Sequence, residues 1–211
     1  MLQSSHALFE LASELRLMNV ESSLPRDLPG RYGRAIADLE RLLTATETLA
    51  VVAGGWAVWR HGFAGRVTDD VDVVVPEDKL DELKSVAPMC GFEVLSVPPG
   101  RWPKMVHRAT SIDVDLLPEN GIPGTPSRPA RIAIQHPRQY AATLRTLHFI
   151  PLINLIELKL GAGRAKDIAD IIELIQQHPN QLEAISQHLS DLDPAYLVRF
   201  QELREQADEE G

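Results

Sequence analysis

The stretch Val51–Val75, VVAGGWAVWRHGFAGRVTDDVDVVV, decides how the rest of the chain is read. Val51 to Ala53 is a short apolar run that ends at Gly54-Gly55, which predicts a strand closing on a sharp turn with bare backbone N–H groups. Trp56 to His61 fits a helix whose first-turn N–H groups have no partner inside the helix and so can face an anion. Past Gly62 and Gly65, Arg66-Val67-Thr68-Asp69-Asp70-Val71-Asp72-Val73-Val74-Val75 reads as a second strand. Side chains alternate along a strand, so Asp70 and Asp72 share one face, with Thr68 on it by parity. Val71, Val73 and Val75 take the other.

Carboxylates at i and i+2 of a strand have Cα atoms roughly 6.5–7 Å apart. Side chains leaning together from that spacing can share a pair of cations about 3.5–4 Å apart, the arrangement used for in-line phosphoryl displacement. Hard carboxylate oxygens suit Mg2+, which is held by few protein ligands plus substrate phosphates. The stretch therefore offers a phosphate cradle at Gly54, Gly55 and the Trp56 helix start, followed by a metal platform at Asp70 and Asp72. A glycine turn followed by an acidic surface strand accounts for either half taken alone, but less well for the two in this order.

A Gly-Gly pair followed by Arg-x-Thr-x-Asp-Val-Asp resembles the nucleotidyltransferase superfamily related to polymerase β, and within it the bacterial AbiEii-type toxin enzymes. The resemblance runs from about Val51 to Glu173. It implies an α/β (α+β) fold: a mixed β-sheet flanked by helices, followed by a C-terminal helical bundle. It also implies transfer of a nucleoside monophosphate from a nucleoside triphosphate, with Mg2+ as cofactor, two ions being expected. Many members carry Ser after the glycine pair. Trp56 stands there in this chain, which leaves phosphate binding to backbone N–H groups and lets the indole stack or pack under the sheet.

The chain has 211 residues, enough for one large domain or two small ones with a buried core. Its net charge of −9 argues against a broad nucleic-acid surface, though not against a local basic groove. Cys90 is the only cysteine, so neither an intrachain disulfide nor a cysteine-built metal site is expected, and its apolar setting suits packing. The N-terminus lacks a signal-peptide pattern and no apolar run approaches the ~20 residues of a membrane span. A soluble cytoplasmic protein with no membrane partner is expected.

Two helices are expected before the glycine turn. The first runs from about Ser5 to Met18, with Leu8, Leu11, Ala12 and Leu15 as its stripe. The second runs from Arg31 to Thr46, with Tyr32, Ile36, Leu39 and Leu43. Past the aspartates, Pro76–Ala87 suits a helix and Phe92–Val97 and Lys104–Ala109 suit strands. Ser111–Leu117 is a further strand with Asp113 and Asp115 on one face. The chemistry needs a third carboxylate beside Asp70 and Asp72, as general base or second-metal ligand. In the resembling family it stands just before a Leu-Leu-Pro-like ending. That matches Asp115, before Leu116-Leu117-Pro118, with Asp113 as a neighbour or back-up ligand. Residues 119–131 read as a long loop at the cleft mouth, with Arg128 and Arg131 in reach of a phosphate or simply solvated, and 131–135 as a short strand.

From about Pro137 the chain reads as helical, so residues 1–136 are expected to form the catalytic domain and 137–211 a helical one. Leu152, Leu155, Ile156 and Leu160 mark one helix with Lys159 in its last turn. Ile168, Ile171, Ile172 and Ile175 mark the next, with Lys166, Asp167 and Asp170 on the opposite side. Helices around 182–189 and 194–206 and a frayed 207–211 tail complete the chain. The resembling enzymes carry a similar lysine and a Lys-Asp-x-x-Asp sequence facing the cleft. This implies that Lys159 holds the triphosphate, with Arg164 and Lys166 nearby. Asp167 either orients Lys159 or favours the helix dipole. The expected catalytic set is Asp70, Asp72, Asp115 and Lys159. The expected nucleotide-binding set is Gly54, Gly55, Trp56, Arg66, Thr68, Lys159, Arg164 and Lys166. Three acceptor readings stand: tRNA, as a toxin with an antitoxin partner; a protein or aminoglycoside-like small molecule; or a nucleotide-binding module without catalysis.

Overall fold

The computed structural model describes residues 2–63, 65, 66, 68–144 and 146–210, leaving aside the side chains of 2–9 and 210. Helices α1 (Leu2–Leu17) and α2 (Gly30–Ala45) precede strand β1 (Val51–Val52), helix α3 (Gly54–Arg60) and strand β2 (Asp70–Val75). Then come α4 (Leu80–Val86), β3 (Phe92–Leu95), β4 (Lys104–His107), β5 (Ile112–Pro118), β6 (Gly124–Thr125), β7 (Arg128–Pro129) and β8 (His148–Phe149). The chain ends in α5 (Leu152–Ala162), α6 (Ala165–Gln177), α7 (Leu182–Leu192) and α8 (Pro194–Glu210). This is a mixed six-stranded sheet in the order β3-β4-β5-β2-β1-β8, flanked by helices, with a C-terminal helical bundle.

Strand β2 sits between antiparallel β1 and parallel β5, and its alternation sorts the two faces. Val71, Val73 and Val75 join Val114 and Leu116 in one core, under α2 and α4. On the other face Val74 joins Val51, Ile156, Ile171 and Phe200 beneath the C-terminal helices. Each fully buried aliphatic side chain of this kind contributes about 1.5–3 kcal/mol. Asp70 and Asp72 share the Val74 face. The bundle therefore covers the valine end of that face, and the carboxylates line what it leaves open.

Several local expectations are corrected. Residues 119–131 are not wholly a loop, since β6 and β7 pair as a small hairpin. Residues 131–135 form no strand. The segment after Pro137 opens with a 3-10 turn and then β8, which pairs parallel with β1 before any α-helix begins. The C-terminal residues do not fray: α8 continues to Glu210, with Ala207 buried and its carbonyl accepting from Gln176 Nε2. The side chain of Leu8 and residue Gly211, both part of the expectations above, lie outside the described residues.

Candidate active site

The parallel pairing of β2 with β5 puts Asp70 opposite Asp113 and Asp72 opposite Asp115. A period-2 pattern in two neighbouring strands thus becomes a patch of carboxylates on one face. Among the described residues Asp70, Asp72 and Asp115 are the one acidic group able to close on a metal, with a ligand oxygen from each lying within 4.8 Å of the others. Asp113 stands outside the group, its carboxylate 3.1 Å from Lys104 Nζ.

These charges crowd one another. Burial, followed by the charges of Asp70 and Asp115, pushes Asp72 up to about 6, against the pull of Lys159 and Arg164. Burial also raises Asp115; Lys104 opposes this, while Asp70 and Asp113 add to it. Asp115 Oδ1 is inaccessible and accepts no well-directed hydrogen bond, although Lys104 Nζ lies 3.1 Å away. Three hard oxygen donors that repel each other at this range fit a divalent cation, and the group can coordinate one.

Backbone geometry brings the glycine turn against the carboxylates. Gly54 has φ +61°, and a Cβ there would fall 1.7 Å from Asp72 Oδ2. A Cβ on Gly55 would meet the Thr68 side chain at 2.7 Å. Thr68 Oγ1 in turn donates to Asp70 Oδ1 at 2.6 Å and so orients that carboxylate. Only residues without side chains let helix α3 begin this close to β2.

The three aspartates form the floor of a cleft of about 150 Å3. Ala53 and Gly54 stand at one side, and Lys159, Arg164, Lys166 and Asp167 at another. Trp102, Leu117, Ile134, Leu155 and Leu158 make an apolar wall. Lys159 is 5% exposed, and its Nζ lies 2.6 Å from Asp170 Oδ2 and 3.6 Å from Asp167 Oδ1. Arg164 pairs with Asp167 through its backbone N–H and two guanidinium nitrogens, at 2.6–3.1 Å. Asp167 and Asp170 are therefore buried anchors for Lys159 and Arg164, although the helical period places them opposite the isoleucine stripe of α6.

Two residues of the expected nucleotide-binding set have their side chains engaged within the protein. The Trp56 side chain is fully buried, its ring 4.5 Å from that of Tyr32 and 6.2 Å from that of Trp59. Positions 56 and 59 are one turn apart on α3, and that side faces α2 and the core. Its backbone N–H at the helix start is the group expected to meet phosphate. Arg66 donates from Nε to Asp170 Oδ1 at 3.0 Å, which ties the loop before β2 to α6. Lys104 and Trp102 were missed. Trp102 lines the cleft just before β4, and Lys104 on β4 meets Asp115 through the antiparallel register of β4 on β5, which strand parity alone does not supply.

No protein-family profile matches the chain, and no curated protein matches it. Solved structures do. The crystal structure of ANT(2")-Ia in complex with adenylyl-2"-tobramycin is 15% identical, with 83% of this chain and 96% of that one covered and a TM-score of 0.39. The solution structure of the antibiotic-resistance factor ANT(2'')-Ia is 14% identical, with 83% and 90% covered and a TM-score of 0.40.

Proposed function

We propose that the chain is a metal-dependent nucleotidyltransferase of the polymerase-β-like kind, passing a nucleoside monophosphate from a nucleoside triphosphate to the hydroxyl of a small-molecule acceptor. The observation that carries this is the closure of Asp70, Asp72 and Asp115, from two parallel strands, on one point at the floor of a cleft rimmed by Lys159, Arg164 and Lys166.

Asp70, Asp72 and Asp115 would hold Mg2+, which supplies charge neutralisation at the reacting phosphate and orientation of its oxygens. Lys159, Arg164 and Lys166 offset the remaining phosphate charge from the α5–α6 side, and Asp167 and Asp170 keep the first two in place. Gly54 lets the triphosphate approach backbone N–H groups beside Asp72. Asp115 accepts the proton of the acceptor hydroxyl. The acceptor oxygen then bonds to the α-phosphorus, the bridging P–O bond breaks, and pyrophosphate leaves with the electron pair. The side chains act by positioning and by fixed charge.

A small acceptor is favoured over tRNA by the cleft's apolar wall and by the net charge of −9, because a polyanion binds through many phosphate contacts. The test is incubation with each labelled nucleoside triphosphate, Mg2+, a panel of hydroxylated small molecules and total tRNA, beside an Asp70→Ala, Asp72→Ala variant. Label on a small molecule with the intact chain only is the expected result. Label on tRNA would assign the toxin-like reading instead. Nucleotide bound with nothing transferred would leave a sensor module.

A further inference from the structure

Among the described residues, Lys104 is the one cation of the sheet paired with the acidic cluster. It stands directly opposite Asp115 across the β4–β5 pair. Its Nζ lies 3.1 Å from Asp115 Oδ1 and 3.1 Å from Asp113 Oδ2, so one ammonium bridges the two carboxylates of β5. The bridge is part-buried, with the Lys104 side chain 27% exposed. The ammonium also accounts for Asp113: that residue shares the row of Asp70, yet its carboxylate is turned to the lysine and not to the cluster.

A carboxylate that serves two ions gives oxygens to both. Asp115 has Oδ1 buried beside an ammonium, while a ligand oxygen of the same carboxylate lies within 4.8 Å of ligand oxygens of Asp70 and Asp72. We propose that Lys104 is a built-in monovalent substitute for a second divalent ion at Asp115. In the free protein the cluster then takes one divalent cation, held chiefly by Asp70 and Asp72, and Lys104 positions Asp115 toward it. This deepens the transferase reading above and rests on it. It also replaces the expectation of two resident ions with one ion and one lysine.

The experiment is a Mn2+ titration of the nucleotide-free protein, followed by the EPR signal of the free ion. It compares wild type, Lys104→Gln, Lys104→Arg and Asp72→Asn, with circular dichroism on each to confirm folding. Wild type is expected to bind about one Mn2+ per chain and Lys104→Gln about two, because removing the ammonium frees Asp115 and Asp113 to serve a second ion. Lys104→Arg keeps the charge and is expected to remain at one, which a merely structural role for the residue would not predict. Wild type binding two ions, or a folded Lys104→Gln remaining at one, overturns the role given to Lys104 and leaves the transferase reading standing. If Lys104→Gln does not fold, the wild-type count decides alone. Wild type binding no Mn2+ at all, as expected only of Asp72→Asn, overturns the transferase reading and this inference together.

Discussion

Asp72 carries a conflict between stability and function within one side chain. Its carboxylate lies within the cluster that includes Asp70 and Asp115 and is held at about 6, so its negative charge at neutral pH costs the metal-free fold free energy. Asp72→Asn is therefore expected to unfold about 1 kcal/mol later than wild type in EDTA by urea titration, while losing divalent-cation binding and at least ~100-fold of any transfer rate. His61 shows the same arithmetic away from the site. Burial, aided by nearby Arg60 and His178 and only partly opposed by a bond to Ile150 O, holds it at about 4. The unfolded imidazole titrates near 6.5, so it takes up its proton first as pH falls. The stability that His61 contributes is complete above pH ~6.5 and is lost on the way down to pH ~4. Between pH 7.5 and 5 this amounts to about 2 kcal/mol, and His61→Gln is expected to remove that part of the slope in urea unfolding. An unchanged slope would show that the ring is already protonated or exposed.

At the scale of elements, the β1–α3 turn and the α5–α6 pair set the two walls of the cleft. Gly54→Ala places a methyl where Asp72 Oδ2 now lies and forces a side chain into φ +61°. It is expected to cost about 1–2 kcal/mol in thermal unfolding from the left-handed backbone alone, and to weaken Mn2+ binding as Asp72 is displaced. A variant that keeps wild-type Mn2+ affinity would count against the contact. On the other wall, Asp170→Ala strips the close partner from Lys159 and from Arg66 Nε at once. Leaving a buried ammonium with Asp167 at 3.6 Å is expected to cost about 3 kcal/mol, measured by chemical denaturation. The stripe of isoleucines along α6 was legible as a period of 3.6, and it set the aspartates on the opposite, polar side. Helix α5 brings Lys159 to that side, so what the period marks as the polar face is a buried ionic face. For Trp56 the sequence allowed the indole either to stack or to pack under the sheet, and its turn-mate Trp59 with Tyr32 of α2 marks it as core.

For the molecule as a whole, the cleft lies between the sheet and the C-terminal helices, so a ligand there bridges the two sides. A nucleoside triphosphate with Mg2+ at 100 times its dissociation constant is expected to add about 2.7 kcal/mol to the stability and to raise the melting temperature with concentration. Hydrogen exchange in α5, α6 and the β6–β7 hairpin should slow with it. If none of the four common triphosphates shifts the melting curve, the cleft is not a nucleotide site. Among the described residues no helix is long and apolar enough to cross a membrane.

Local sequence alone determined what depends on neighbours in the chain. Period-2 alternation placed Asp70 with Asp72 and Asp113 with Asp115, the glycine pair marked the turn, and apolar stripes marked most of the helices. Strand pairing and helix docking decided the rest. The register of β5 on β2 brings Asp115 to Asp72, that of β4 on β5 brings Lys104 to Asp115, and the packing of α5 on α6 buries Asp170 against Lys159. Those contacts join residues many positions apart. A one-residue slip in either pairing would turn each of these side chains to the opposite face of the sheet, and nothing in a strand's own pattern records which partner it will meet.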